Sequence, residues 1–291
     1  MMKARHRLTR RHQHDLRQGG VEKTAEFIID SDTFMLAHYP EEYYHNLTLL
    51  YLGSGGDYTG GARPVFKADL SDANKWGINT NDNILSATLT MIADSIEGSA
   101  GENDSHGAGL PAAPDDYLAS LTFPGKTQLT TIDLTTWNEI LHGGDGGGSH
   151  RRESVSYAPY PVIVYPHRPD SPNHPAIHVC NWNNYAGGQN WTMPGAGSII
   201  DDIDAGISSG FVLRVDDNLP GDPGADAMYE IDVTEHAKYA MSSRDSEFCV
   251  QMYRGSDDTG NNNENLTKFY SVNHNSDEWR PRLTITYLDR S

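Results

Sequence analysis

The stretch CNWNNYAGGQNWTMPGAG, Cys180 to Gly197, sets Trp182 and Trp191 among Asn181, Asn183, Asn184, Gln189 and Asn190. Flat aromatic faces stack on sugar rings and side-chain amides bond to hydroxyls. These residue types can therefore build a carbohydrate platform, with Trp182, Asn184, Asn190 and Trp191 as its contacts. A tryptophan is also a large apolar body that a β-rich domain buries for stability. The types alone leave both uses open.

A second chemistry is cation binding. Asp216, Asp217, Asp222 and Asp226 in DDNLPGDPGAD, Asp201, Asp202 and Asp204 in DDID, and Asp257, Asp258 and Asn261 in GSDDTGNNNEN put hard oxygen donors between turn residues. Calcium takes such ligands, yet no segment has the spacing of an EF-hand loop, and solvated acidic loops explain the same residues. His167, His174 and His178 surround a proline-rich turn whose spacing fits no standard zinc pattern, so they read as a surface loop. No zincin helix or phosphate loop is present and no enzyme activity is expected; the alternative is a polysaccharide hydrolase, whose two carboxylates usually lie far apart along a chain. No cofactor is expected beyond a structural calcium ion. Cys180 and Cys249 are the two cysteines and read as buried, reduced thiols, with a single bridge between them as the alternative.

Charge divides the chain unevenly. Lys3, Arg5, Arg7, Arg10, Arg11 and Arg17 against Asp15 give residues 1–20 a net charge of +5, so the remainder carries −23 of the total −18. A basic arm on an acidic body suits docking on a negative partner, while the body repels nucleic acid and anionic membranes. A solvated tail is the plainer use of the same residues. No apolar run approaches the ~20 residues that span a bilayer, and residues 1–20 lack the apolar core of a secretory signal. Neither membrane insertion nor general export is expected.

The elements that must position these residues are short and β-like. TAEFIIDSDTFMLAHY, NLTLLYLG, RPVFKADL, ILSATLTMIADS, KTQLTTIDLTTW, YPVIVYP, AIHVCNW, GFVLRVD, MYEIDVT, EFCVQMYRG, TKFYSV and RLTITYL are bounded by turn residues. In ILSATLTMIADS, Leu85, Ala87, Leu89 and Met91 alternate with Ser86, Thr88 and Thr90, the period of a half-buried strand. Only Val233 to Met241 reads as a helix, with Thr234 as its cap. Segments 97–116 and 143–154 are glycine-rich or acidic insertions. More than ten strands without βαβ alternation predict an all-β fold, a jelly-roll sandwich of two antiparallel sheets with long loops and one short helix.

The order of the pieces resembles the DNRLRE domain family, jelly-roll modules related to carbohydrate-binding modules and found in secreted glycan-degrading proteins and some virus particles. The residues that carry it are DTFMLAHYPEEYYHNLTLLYLGS, RPVFKADLS before ILSATLTMIAD, WNE, NWNN with NWTMPGAG, YEIDVTEHAKYA and FYSVNHNSDEWRPRLTITY. The resemblance runs from about Glu26 to Leu288 and implies a single domain over 21–291 behind an arm at 1–20. It matches the family's arginine and phenylalanine to Arg63 and Phe66, and it gives Trp182 and Trp191 a structural place on a crossover between sheets. Trp137 and Trp279 fall on family-like packing positions. The expectation is a non-enzymatic structural protein of a virus particle, a capsid decoration or tail-associated protein made in the host cytoplasm. It would be anchored by its arm to other virion proteins as a homo-oligomer or part of a larger assembly, and nucleic acid is not an expected partner. The alternative is an extracellular module that binds a host-surface polysaccharide.

Overall fold

The computed structural model describes residues 20–54, 61–71, 73, 78, 83–98, 160–213, 228–243, 245–254 and 265–289. Its strands are β1 (Val21–Ile28), β2 (Ser31–Leu36), β3 (Leu49–Ser54), β4 (Ala62–Asp69), β5 (Ile84–Gly98), β6 (Tyr160–Pro166), β7 (Asn184–Ala186), β8 (Gln189–Asn190), β9 (Ser209–Leu213), β10 (Met228–Asp232), β11 (Glu247–Arg254), β12 (Asn265–Tyr270) and β13 (Arg282–Asp289). A helix, α1 (Thr234–Ser242), lies against β5 and β11. The run KTQLTTIDLTTW, with Trp137, and the insertion at 143–154 lie outside the described residues, as does the insertion at 97–116 beyond Gly98.

Among the described residues every strand pair is antiparallel, and the fold is an all-β, jelly-roll-like sandwich. One layer runs β1, β13, β5 and β10; the other runs β5, β12, β3, β4, β11, β6 and β9, with β2 beside β4. β5 belongs to both. Ile84–Ile92 pairs with β13 and β10, and Ala93–Gly98 pairs with β12. The first predicted run likewise divides at Ile29 and Asp30, where the chain leaves β13 for β4.

Period-two patterning fills the space between the layers. Phe34 and Leu36 of β2, Phe66 and Ala68 of β4, Phe248, Val250 and Met252 of β11, and Leu89 and Met91 of β5 all point into one core. Full burial of each large side chain stabilises by roughly 1.5–3 kcal/mol. Leu85 does not join them as its alternation predicts. The register with β13 shifts so that Thr286 faces Ser86 but Tyr287 faces Ile84. That bulge at Leu85 puts Ile84 on the buried face instead.

Two further expectations change. AIHVCNW is not a strand: Ile177–Val179 is a 3-10 turn. Ile177 and Cys180, three residues apart, are buried while His178 and Val179 are exposed, which is the period of that helix. Thr234 is the first helical residue rather than the cap. Its backbone N–H donates to Asp232 Oδ1 at 2.9 Å and its hydroxyl donates to the same oxygen at 2.6 Å.

β4 and β11 are buried on both faces. Their inward residues meet the core, and their outward set, Arg63 and Val65 on β4 with Cys249, Gln251 and Tyr253 on β11, meets the crossover from His167 to Ser208. That crossover contains the tryptophan stretch.

Candidate functional site

The crossover begins where β6 ends, and its closest fit is around Arg63. The guanidinium lies 4.5 Å from the centroid of the Trp182 ring and 4.2 Å from that of Tyr253. Its Nη1 donates to the Gly195 carbonyl at 2.8 Å, and Gln251 Nε2 donates to the same oxygen at 2.8 Å. The Tyr253 hydroxyl lies 2.7 Å from the Ala196 carbonyl and 3.1 Å from that of Gly195. To present both carbonyls the backbone turns left-handed, with φ of 70° at Gly195 and 54° at Ala196. Arg63 is only 4% exposed, so its charge is stabilised by aromatic faces and backbone dipoles.

Asp202 organises the far side of the loop. Its Oδ1 accepts from Asn173 Nδ2 at 2.9 Å and the Thr192 N–H at 3.4 Å; its Oδ2 accepts from the N–H groups of Ser198 at 3.0 Å and Met193 at 3.3 Å. Four N–H donors aimed at one buried carboxylate satisfy it and turn positive dipoles toward the place a cation would occupy. Asp204 Oδ1 accepts the Gly206 N–H, and its Oδ2 lies 3.6 Å from Arg168 Nη1.

The asparagines are also spent internally. Asn181 Oδ1 accepts the N–H groups of Asn183 at 3.0 Å and Asn184 at 2.8 Å, an Asx turn. Glu41, on the loop after β2, takes the side-chain amides of Asn183 and Asn184, while its own carbonyl accepts from Asn181 Nδ2. Trp191 is 4% exposed, and its indole N–H donates to the Asn181 carbonyl at 2.9 Å. Trp182 is half-buried with Arg63 over its ring. Asn184 is buried, and Asn190 is exposed at the end of the β7–β8 hairpin. The four residues read as sugar contacts therefore share one segment without forming one open face.

The histidines differ from a surface loop. His167 is buried, stacked on Trp191 at 5.6 Å between ring centroids, and His174 is half-buried; only His178 is exposed. Burial above all, then the neighbouring His174, pushes His167 down to about 3. Cys180 and Cys249 are buried free thiols in the same layer, and burial pushes Cys180 up to about 12 and Cys249 well above the usual thiol value. Such thiols are poor nucleophiles. Among the described residues no group of three or more His, Cys, Asp or Glu side chains is placed to hold a metal ion.

The arm residues Lys3, Arg5, Arg7, Arg10, Arg11 and Arg17, and the calcium candidates Asp216, Asp217, Asp222, Asp226, Asp257, Asp258 and Asn261, lie outside the described residues. Among those described, no helix is long and apolar enough to cross a membrane. Trp279 packs at the rim, 4.7 Å from Tyr270 and 5.0 Å from His274 between ring centroids.

Sequence reasoning overlooked Gln251, Tyr253 and Glu41. In CVQMY, Gln251 and Tyr253 alternate with Val250 and Met252, the pattern of a strand with one face in solvent, so the sequence carries no sign that a crossover covers the first two. The chain matches no model of a known protein family, and no curated protein matches its sequence.

Proposed function

We propose that this protein is a non-enzymatic structural component of a virus particle, a jelly-roll body anchored through its basic arm to an acidic partner in the assembly. The observation that carries the reading is the division of charge, +5 on residues 1–20 against −23 on the rest. Complementary charge accelerates and orients association with a negative surface, while the acidic body keeps free copies apart. The described body supports a structural role in a second way. Arg63, Asp202, Asn181 and Trp191, the groups best able to do chemistry, are committed to holding the crossover on the sheet. The DNRLRE resemblance supplies the particle context. The test is reassembly: full-length protein and a form lacking residues 1–20 are mixed with particles stripped of the protein. The full chain is expected to rebind and to be released by salt, because screening weakens exposed charge pairs. Equal rebinding of the shortened form would sink the proposal.

A glycan-binding reading is favoured by one observation away from the tryptophans. The loop after β2 exposes Tyr39 at 46% and Tyr43 at 47%, on either side of Glu41, which holds the Asn183 amide. Exposed tyrosines beside fixed carboxylate and amide groups suit a sugar ring and its hydroxyls. A glycan array should then show binding that Tyr39→Ala and Tyr43→Ala each abolish without lowering thermal stability. Binding that survives both substitutions rules the loop out.

A further inference from the structure

The crossover is held on the outer sheet face by a small cluster of its own. Met35, Val65 and Cys249 of the sheet meet Ile177, Cys180, Trp191 and Ala196 of the crossover, with Trp182 and Tyr185 packed at the edge. This cluster is separate from the core between the sheets. A separate packing unit can open while the rest of a fold stays closed.

His167 stands at the base of this unit. Its backbone N–H donates to the Cys249 carbonyl at 2.9 Å, and its residue bridges to Ile203 at the far end of the crossover. The Gln251 side chain and the Asp202 backbone approach the ring, but neither ring nitrogen closes a hydrogen bond of good geometry. From β4 the charge acting on it is Lys67, and from the crossover it is His174; Glu247 of β11 and Asp245 act on His174 instead. Glu247 already pairs with Lys67 and lies 3.5 Å from His174 Nδ1. One carboxylate thus serves a lysine and a histidine, which leaves little to offset a charge on His167.

We propose that His167 and His174 form an acid-operated latch: neutral, they let the crossover lie on the sheet, and protonated, they release it to water. A charged imidazole stacked on Trp191 inside an apolar cluster is costly unless solvent reaches it, and opening the crossover admits solvent. Burial holds both rings below their usual 6.5, His167 to about 3, with Glu247 working against burial at His174. Groups with depressed basicity stabilise the closed form fully above pH 6.5, and that stabilisation fades as pH falls from there toward 3. Release would uncover Met35, Val65 and both thiols. The latch stands or falls independently of what the basic arm binds.

The two cysteines are the only ones in the chain and both sit in the latch, so they report its opening directly. The full chain is treated with 4,4′-dithiodipyridine, a disulfide that labels thiols at acid pH, between pH 7.5 and 4.5. The rate is divided by that of a small free thiol, with far-ultraviolet circular dichroism recorded alongside. Relative labelling should rise about tenfold per pH unit for each proton taken up, while the β signal is unchanged. His167→Phe should flatten most of the rise, and His174→Gln should flatten part of it and serves alone if the first variant does not fold. A flat profile in the wild type overturns the latch. So does an unaltered slope in the variants, or labelling that appears only with loss of the β signal.

Discussion

Arg63 packs so closely on Gly195 that no side chain fits between them. The guanidinium donates a 2.8 Å hydrogen bond to the glycine carbonyl, and a Cβ at position 195 would fall on that guanidinium and 2.9 Å from two carbons of the Trp182 ring. Gly195→Ala should therefore cost about 3 kcal/mol, from left-handed strain and overpacking together. Gly188 supplies the comparison. Its φ of 74° matches, but a Cβ there meets nothing within 4 Å, so Gly188→Ala should cost only about 1 kcal/mol. Urea unfolding of both variants tests this, and equal losses would remove packing from the explanation. Arg63→Lys, which gives up the planar stack, should lose about 2 kcal/mol.

Asp202 is expected to act through its four N–H donors. Asp202→Ala would leave those of Thr192, Met193 and Ser198 and the Asn173 amide facing a void, at a cost of about 3 kcal/mol. Asp202→Asn should recover only part, because its own amide would oppose donors. Thermal melts with and without calcium separate this from ion binding: the loss in Asp202→Ala should be the same in both. A calcium-dependent difference at this residue would make it a ligand.

How much of this was legible beforehand depended on which faces a strand buries. One-sided strands such as β5 and β13 show their period openly, so the sandwich and most of its strands follow from alternation. β4 and β11 alternate too, but Arg63, Lys67 and Gln251 on their outer positions look like solvent residues until a crossover lies on them. The bulge at Leu85 was hidden because register is set by β13, distant in the chain. Trp191 is legible as a large body, but its orientation is not: it depends on the Asn181 carbonyl, whose residue is tied through its side-chain amide to the Glu41 carbonyl of another loop. Only packing gives Arg63 its reason.

The start of α1 offers a local test. Thr234 Oγ1 accepts the Ala87 N–H at 2.9 Å, while Val233 N–H donates to the Ala87 carbonyl at 2.9 Å, so the helix entrance continues the β5 ladder. Thr234→Val removes the acceptor without changing the shape and leaves the Ala87 N–H unmet. A loss of about 1–2 kcal/mol is expected, with Thr234→Ser recovering most of it. Hydrogen exchange at Ala87 should speed up in Thr234→Val alone; unchanged protection there would mean that the hydroxyl bond is unimportant.

Asp32 should give the opposite pH dependence to the latch. Its carboxyl is buried and receives Ser271 Oγ and the Val272 N–H, each at 2.8 Å, yet burial outweighs both bonds and pushes it up to about 7. A carboxyl raised above its ordinary 3.8 contributes its full stabilisation below that pH and loses it as pH rises toward 7. Asp32→Asn has no proton to lose. Its stability relative to wild type should therefore climb between pH 4.5 and 7, by at most about 1.4 kcal/mol per pH unit. Urea midpoints of the two proteins across that range measure the slope. Parallel curves would show Asp32 ionised throughout, held by its two donors against burial. A climbing difference would place one buried carboxylic acid under the β2–β3 end of the sandwich, with acid favouring it while the same acid loosens the crossover through His167.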